Sequence, residues 1–175
     1  MMEKVKQLPT KINFFNFAKK EVELIGDLKI SDLSRLSEIA NNKNDLVEVD
    51  LSFHLENGKT PCVEGIIKSK LVLDCQRCLD NLELDLKVPF DIAFTKNESQ
   101  AEGLNDKFEI YLVGEHEEID TKDLVTDEIL LSIPMAPSHE FDCGLKTDKG
   151  HILQEVLEHP FDVLKNIKKA DFGKE

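Results

Sequence analysis

Apolar and polar residues alternate in three long runs, and these runs predict the centre of the fold. Val47, Val49, Leu51, Phe53 and Leu55 alternate with Glu48, Asp50, Ser52 and His54. That is the period-two pattern of a strand with one face in a core and one in water, and it places His54 on the solvent side. Asn57-Gly58 follows, a pair that tolerates positive φ and favours a tight hairpin. The returning strand is expected over 63–73, with Ile67, Leu71 and Leu73 facing one way and Lys68 and Lys70 the other. From 82 to 94 every even position is apolar, while the odd positions hold Glu, Asp, Lys, Pro, Asp and Ala. Such one-sided alternation requires an antiparallel sheet with a single buried face. Pro89 cannot donate to a strand ladder, so it points to an edge position or a bulge nearby.

Shorter elements flank this centre. Residues 12–17 read as a short strand, and Val22, Leu24, Leu28 and Ile30 mark another that Gly26 would interrupt with a bulge. Ser31 reads as the N-cap of a helix carrying Leu33, Leu36 and Ile39, which ends in the Asn-rich turn 41–44. The polar stretch 95–106 has no apolar period and is expected to be a mobile loop, followed by a strand at Phe108, Ile110 and Leu112. Asp120 or Thr121 can cap a helix bearing Leu124, Val125, Glu128, Ile129, Leu131 and Ile133, which Pro134 ends. Residues 135–149 look irregular, a short helix is expected at 152–157, and Pro160 opens a last one with Phe161, Val163, Leu164 and Ile167 on its apolar side. The predicted fold class is α+β: a mainly antiparallel β-sheet with two or three helices packed on its apolar face. A single domain is expected over 1–175, with basic, partly flexible termini.

Charge narrows the choice of partners. The chain has 22 Lys plus Arg against 35 Asp plus Glu, a net charge of -13. Long-range steering therefore repels nucleic acid unless basic residues gather locally. Lys68, Lys70 and Arg77 are the RNA-contact candidates, alongside the lysine-bearing ends. With no Trp and one Tyr, a base-stacking platform is poorly supplied, so contact would be with phosphates. No uninterrupted apolar stretch resembles a signal peptide or a membrane span, which predicts a cytoplasmic protein whose four cysteines are free or metal-bound.

The candidate chemistry lies in Leu71-Val72-Leu73-Asp74-Cys75-Gln76-Arg77-Cys78-Leu79-Asp80-Asn81. A Cys-x-x-Cys pair between two strands suits a metal knuckle, whereas a redox pair belongs at a helix N-terminus. His139 and Cys143 supply two further ligands. Cys75, Cys78, His139 and Cys143 together form a three-Cys, one-His set suited to structural Zn²⁺, provided the hairpin tip and the later loop meet. The plain alternative is free thiols and a surface histidine in unrelated turns. Cys62 reads as a core or edge filler. No nucleophile elbow, phosphate loop, dinucleotide fingerprint or zinc-protease motif is present, and the acid-rich stretch Glu115–Asp120, which has the carboxylates for a pair or a Mg²⁺ site, reads as a solvated face. No catalytic residue is assigned, and no small-molecule substrate or membrane partner is expected.

In order, these features resemble the YceD family, the large ribosomal RNA subunit accumulation proteins. The resemblance rests on Leu73–Cys78, the helix from Glu118 to Pro134, then Pro137, His139 and Cys143, and finally His159-Pro-Phe-Asp-Val-Leu164 before lysines. It implies a non-enzymatic ribosome-biogenesis factor supporting processing or accumulation of large-subunit (23S) rRNA, with rRNA, a pre-ribosomal particle, or a ribosomal or assembly protein as partner. Two rivals stand beside it. One is a zinc-stabilised protein–protein adaptor with no direct RNA contact, and the other is a metal-dependent rRNA nuclease.

Overall fold

The computed structural model describes residues 3–5, 7–101, 103–113 and 118–144. The strands and helices are β1 (Glu3–Val5), β2 (Lys11–Ile12), α1 (Phe14–Lys20), β3 (Val22–Lys29), α2 (Ser34–Ile39), β4 (Leu46–Glu56), β5 (Thr60–Asp74), β6 (Asn81–Thr95), β7 (Glu109–Leu112), β8 (Ile119–Asp120) and α3 (Thr121–Ser132). Six strands form one sheet in the order β1-β3-β4-β5-β6-β7, and β2 pairs with β8 in a separate ribbon. The three central pairings, β3–β4, β4–β5 and β5–β6, are antiparallel, while β1 and β7 add to the ends in parallel. The fold is α+β, with a mainly antiparallel sheet, and the expected helices at 152–157 and from Pro160 lie outside the described residues.

The long alternating runs become the sheet's spine because their apolar positions share one face. Val47, Val49, Leu51 and Phe53 of β4 and Val63, Ile67 and Leu71 of β5 are all buried. Complete burial of each such side chain stabilises by about 1.5–3 kcal/mol. The β4–β5 turn uses the predicted positive φ at Asn57 (50°) and Gly58 (68°). Pro89 is tolerated because β7 pairs only with Ile92–Thr95, leaving the outer side of β6 unpaired at 89 among the described residues.

Three expectations about local elements need correction. Residues 12–17 do not form a strand, because only Lys11–Ile12 pair before α1 begins at Phe14. The Asn13 side chain accepts from the Asn16 amide, and Phe14 and Ala18, one turn apart, are buried. Capping and an i, i+4 apolar pair outweigh the β propensity of the phenylalanines. Gly26 makes no bulge, since its pairing with Val49 lies in an unbroken register. It admits Leu8 instead, whose Cγ would stand 3.0 Å from an added β-carbon. Ser31 does not cap α2. It lies in a 3₁₀ turn over Ile30–Asp32, and α2 starts at Ser34.

Helices α1 and α3 cover the buried face. Phe14 stacks on Phe94 at 4.8 Å and Phe17 meets Phe53 edge-on at 5.6 Å. Asp120 caps α3 by accepting from the Lys122 and Asp123 amides. The Thr121 hydroxyl donates to the Pro9 carbonyl at 2.5 Å, tying the start of α3 to the N-terminal segment. On the opposite face of the sheet, Cys62, Ala93 and Phe108 form a small cluster. There burial pushes the Cys62 thiol up to about 11, so it stays protonated as an apolar filler. His54 is half-buried rather than solvated, with its ring 6.1 Å from that of Phe108. No helix among the described residues is long and apolar enough to cross a membrane.

Candidate metal centre

Between β5 and β6 the chain folds into a knuckle rather than a simple turn. The Cys75 amide donates to the Asp80 carbonyl and the Leu79 amide to the Cys75 carbonyl, each at 2.9 Å. Leu79 closes the loop in the left-handed region, at φ 63°. The Arg77 amide points at Cys75 Sγ from 3.4 Å, the kind of N–H···S contact that stabilises a thiolate.

The segment after α3 is brought to this tip by its own bonds. The Gln76 amide donates to the Pro137 carbonyl at 2.8 Å. The Arg77 guanidinium donates to the Phe141 carbonyl at 3.1 Å and to the Ser138 hydroxyl at 3.4 Å. The ligand atoms of Cys75, Cys78, His139 and Cys143 consequently all lie within 4.8 Å of one another. The hairpin tip and the later loop do meet.

The donor set fits a tetrahedral ion. Zn–S bonds near 2.3 Å and Zn–N bonds near 2.0–2.1 Å imply S···S edges of about 3.8 Å and S···N edges of about 3.5 Å. Cys75 Sγ and Cys143 Sγ are 3.6 Å apart, and Cys78 Sγ is 3.5 Å from His139 Nδ1. The other ring nitrogen, Nε2, lies 3.1 Å from the Asn81 carbonyl. A carbonyl can only accept, so Nε2 carries the proton and Nδ1 presents its lone pair to the cluster. A backbone carbonyl fixing the tautomer in this way is the usual outer support of a metal-bound histidine.

Proton affinities within the cluster are split. Burial raises the Cys75 thiol, but the amides of Cys78, Arg77 and His139 and the Cys143 thiol outweigh it and bring Cys75 down to about 5. The Asp80 amide lowers Cys78, but burial and the neighbouring thiols push it up to about 11. A first thiolate is welcome there and a second is resisted by its neighbours' charge. A divalent cation removes that conflict, because it deprotonates coordinating thiols.

Asn41 and Asn42, predicted only to end α2, also strap the knuckle to the body. The Asn41 side chain donates to Asp74 Oδ1 at 2.9 Å and to Asn81 Oδ1 at 3.1 Å. Asn42 Oδ1 accepts from the Val72 amide at 2.8 Å. Nothing but their position in an Asn-rich turn signals this role in the sequence. Phe141, also unmarked, is exposed and stacks on His139 at 4.8 Å.

The RNA-contact candidates are spread along an exposed face and each has a polar partner. Lys70 Nζ sits 2.6 Å from Glu83, Lys68 Nζ is 3.9 Å from Glu48, and Arg77 is 3.9 Å from Asp142.

No solved structure matches the chain. A protein from Haemophilus influenzae named large ribosomal RNA subunit accumulation protein YceD is 29% identical over 174 residues, spanning 96% of this chain and 99% of that protein. The sequence pattern of the family described as large ribosomal RNA subunit accumulation protein YceD matches residues 63–168, a span holding both Cys75–Cys78 and His139–Cys143. The chain belongs to the YceD family.

Proposed function

We propose that this protein supports the accumulation of large-subunit rRNA, acting in the cytoplasm by binding rather than by catalysis. The end-to-end similarity to a protein named for that role carries the reading. The sharpest test is genetic. Cells lacking the gene should show a lowered ratio of large- to small-subunit rRNA, restored by the wild-type gene. An unchanged ratio refutes the proposal.

Within that role, Cys75, Cys78, His139 and Cys143 hold a structural Zn²⁺. Bound there, zinc supplies a cross-link between the β5–β6 tip and the loop after α3, with no reaction routed through it. The closed donor set supports a structural use, because a catalytic zinc keeps an open position. Protein purified without chelator should contain one zinc per chain, lost in Cys75→Ser. Wild-type protein without zinc refutes the site.

Lys68, Lys70 and Arg77 are the groups proposed to touch RNA phosphates. Their carboxylate neighbours Glu48, Glu83 and Asp142 favour a second reading, an adaptor that reaches the particle through a protein. Filter binding to large-subunit rRNA across a salt series separates the two readings. Phosphate contacts make affinity fall steeply with salt, and an adaptor shows no such binding.

A further inference from the structure

Helix α3 and the edge strand β7 border a groove of about 430 Å³. Its lining includes Glu109, Ile110 and Tyr111 from β7 and Asp127, Glu128 and Leu131 from α3. Leu131, expected to face the core, is 75% exposed on its rim, and Ile110 and Tyr111 are exposed too. Beyond β7 no further strand joins the sheet among the described residues. The groove therefore runs beside a backbone edge able to pair with an extended chain.

At its floor lies an anomaly. Glu128 occupies an inward position of α3 and is only 8% exposed. Among the described residues no donor or cation lies within bonding distance of its carboxyl. Among the described residues the one cation lining the groove, Arg35, is held by Asp127 at 2.5 Å. Burial, then Glu109 and Asp127, push Glu128 up to about 7. Its carboxyl oxygens open onto the groove rather than into the core, and a carboxylate partly stripped of water gains when a cation meets it, so losing one partner of such a pair weakens binding. The acidic floor repels phosphate, which excludes nucleic acid from this site.

We propose that this groove docks a basic, aliphatic, extended segment of a partner protein, with a lysine or arginine side chain reaching Glu128 and apolar side chains resting on Ile110 and Leu131. The segment lays its backbone along β7 and carries the cation that the floor lacks. No residue of the metal centre is used, and the inference stands whether or not the protein contacts rRNA.

The test is fluorescence anisotropy at pH 8 with the full chain and a fluorescein-labelled Val-Lys-Val-Lys-Val-Lys-Val peptide. Binding should weaken about tenfold or more in Glu128→Gln, the scale of a lost desolvated charge pair. Leu131→Ser, a change at an exposed site, should also weaken it severalfold, whereas Glu38→Gln on α2 should match wild type. A peptide with Glu in place of Lys should not bind. Wild-type affinity in both groove variants overturns the proposal, as does an equal loss in Glu38→Gln, which would mean general charge attraction. A concentration-dependent dimer abolished by Leu131→Ser overturns it in favour of a second copy of the chain.

Discussion

Replacing Glu128 by Gln should stabilise the protein in a pH-dependent way, and the sign follows from the direction of its shift. The folded state holds the Glu128 proton up to about pH 7, whereas the ordinary carboxyl loses it near 4.5. Between these values the folded chain binds more protons than the unfolded one, so stability falls as pH rises. The favourable contribution is whole below about pH 4.5 and gone above about pH 7. A fully desolvated carboxyl shifted this far would cost about 3 kcal/mol. Glu128 opens onto the groove, where water screens part of the field of Glu109 and Asp127, so about 1–2 kcal/mol is expected. Arg35 does not offset this, because it is engaged with Asp127. Glutamine keeps the shape without the charge. Urea titrations of wild type and Glu128→Gln should give similar midpoints at pH 5, and at pH 8 a higher midpoint for the variant with an unchanged slope. Titrations elsewhere cancel in that difference. Equal midpoints at pH 8, or a variant less stable there, would refute the reasoning.

Three other perturbations test the fold and the centre. A β-carbon at Gly65 would stand 2.5 Å from Phe90 Cε1 and 2.8 Å from Cε2, so Gly65→Ala should cost about 1–3 kcal/mol by overpacking. Phe90→Leu in the same chain should recover part of that loss in chemical denaturation. Asp120→Ala removes the acceptor for the first amides of α3, and a loss of about 1 kcal/mol in thermal unfolding is expected. Chelation should lower the wild-type melting temperature by roughly 5–10 °C, equivalent to about 2–3 kcal/mol for a chain of this size. Cys75→Ser should already melt at the lower temperature and ignore the chelator, so an equal drop in both would tell against zinc as the target.

The alternating runs of β4, β5 and β6 were legible because period-two burial is a local property. Each residue's face is decided by its immediate neighbours once the strand forms. The hairpin at Asn57-Gly58 and the capped start of α3 at Asp120 were legible for the same reason, since their bonds join residues at most three or four apart. Local signals misread 12–17, where three phenylalanines suggest a strand but the Asn13 cap and the Phe14–Ala18 spacing build α1. Leu131 followed the apolar pattern of its helix yet lies outside the core, on the groove between α3 and β7.

The metal centre divides along the same line. Ligand identity and the Cys-x-x-Cys spacing are written in the chain, and they limit the ion to one that takes three sulfurs and a nitrogen. Whether Cys75 ever meets Cys143, 68 residues away, is beyond any local pattern. That meeting depends on where α3 ends relative to the β5–β6 tip, and on bonds such as Gln76 to Pro137 and Arg77 to Phe141 that only packed elements can form. Likewise, the sequence placed a glutamate on the inner side of α3, but only the tertiary structure left it, among the described residues, without a cation beside an open groove. Burial and charge pairing depend on distances between segments far apart in the chain, and those distances exist only after the sheet and its helices have closed.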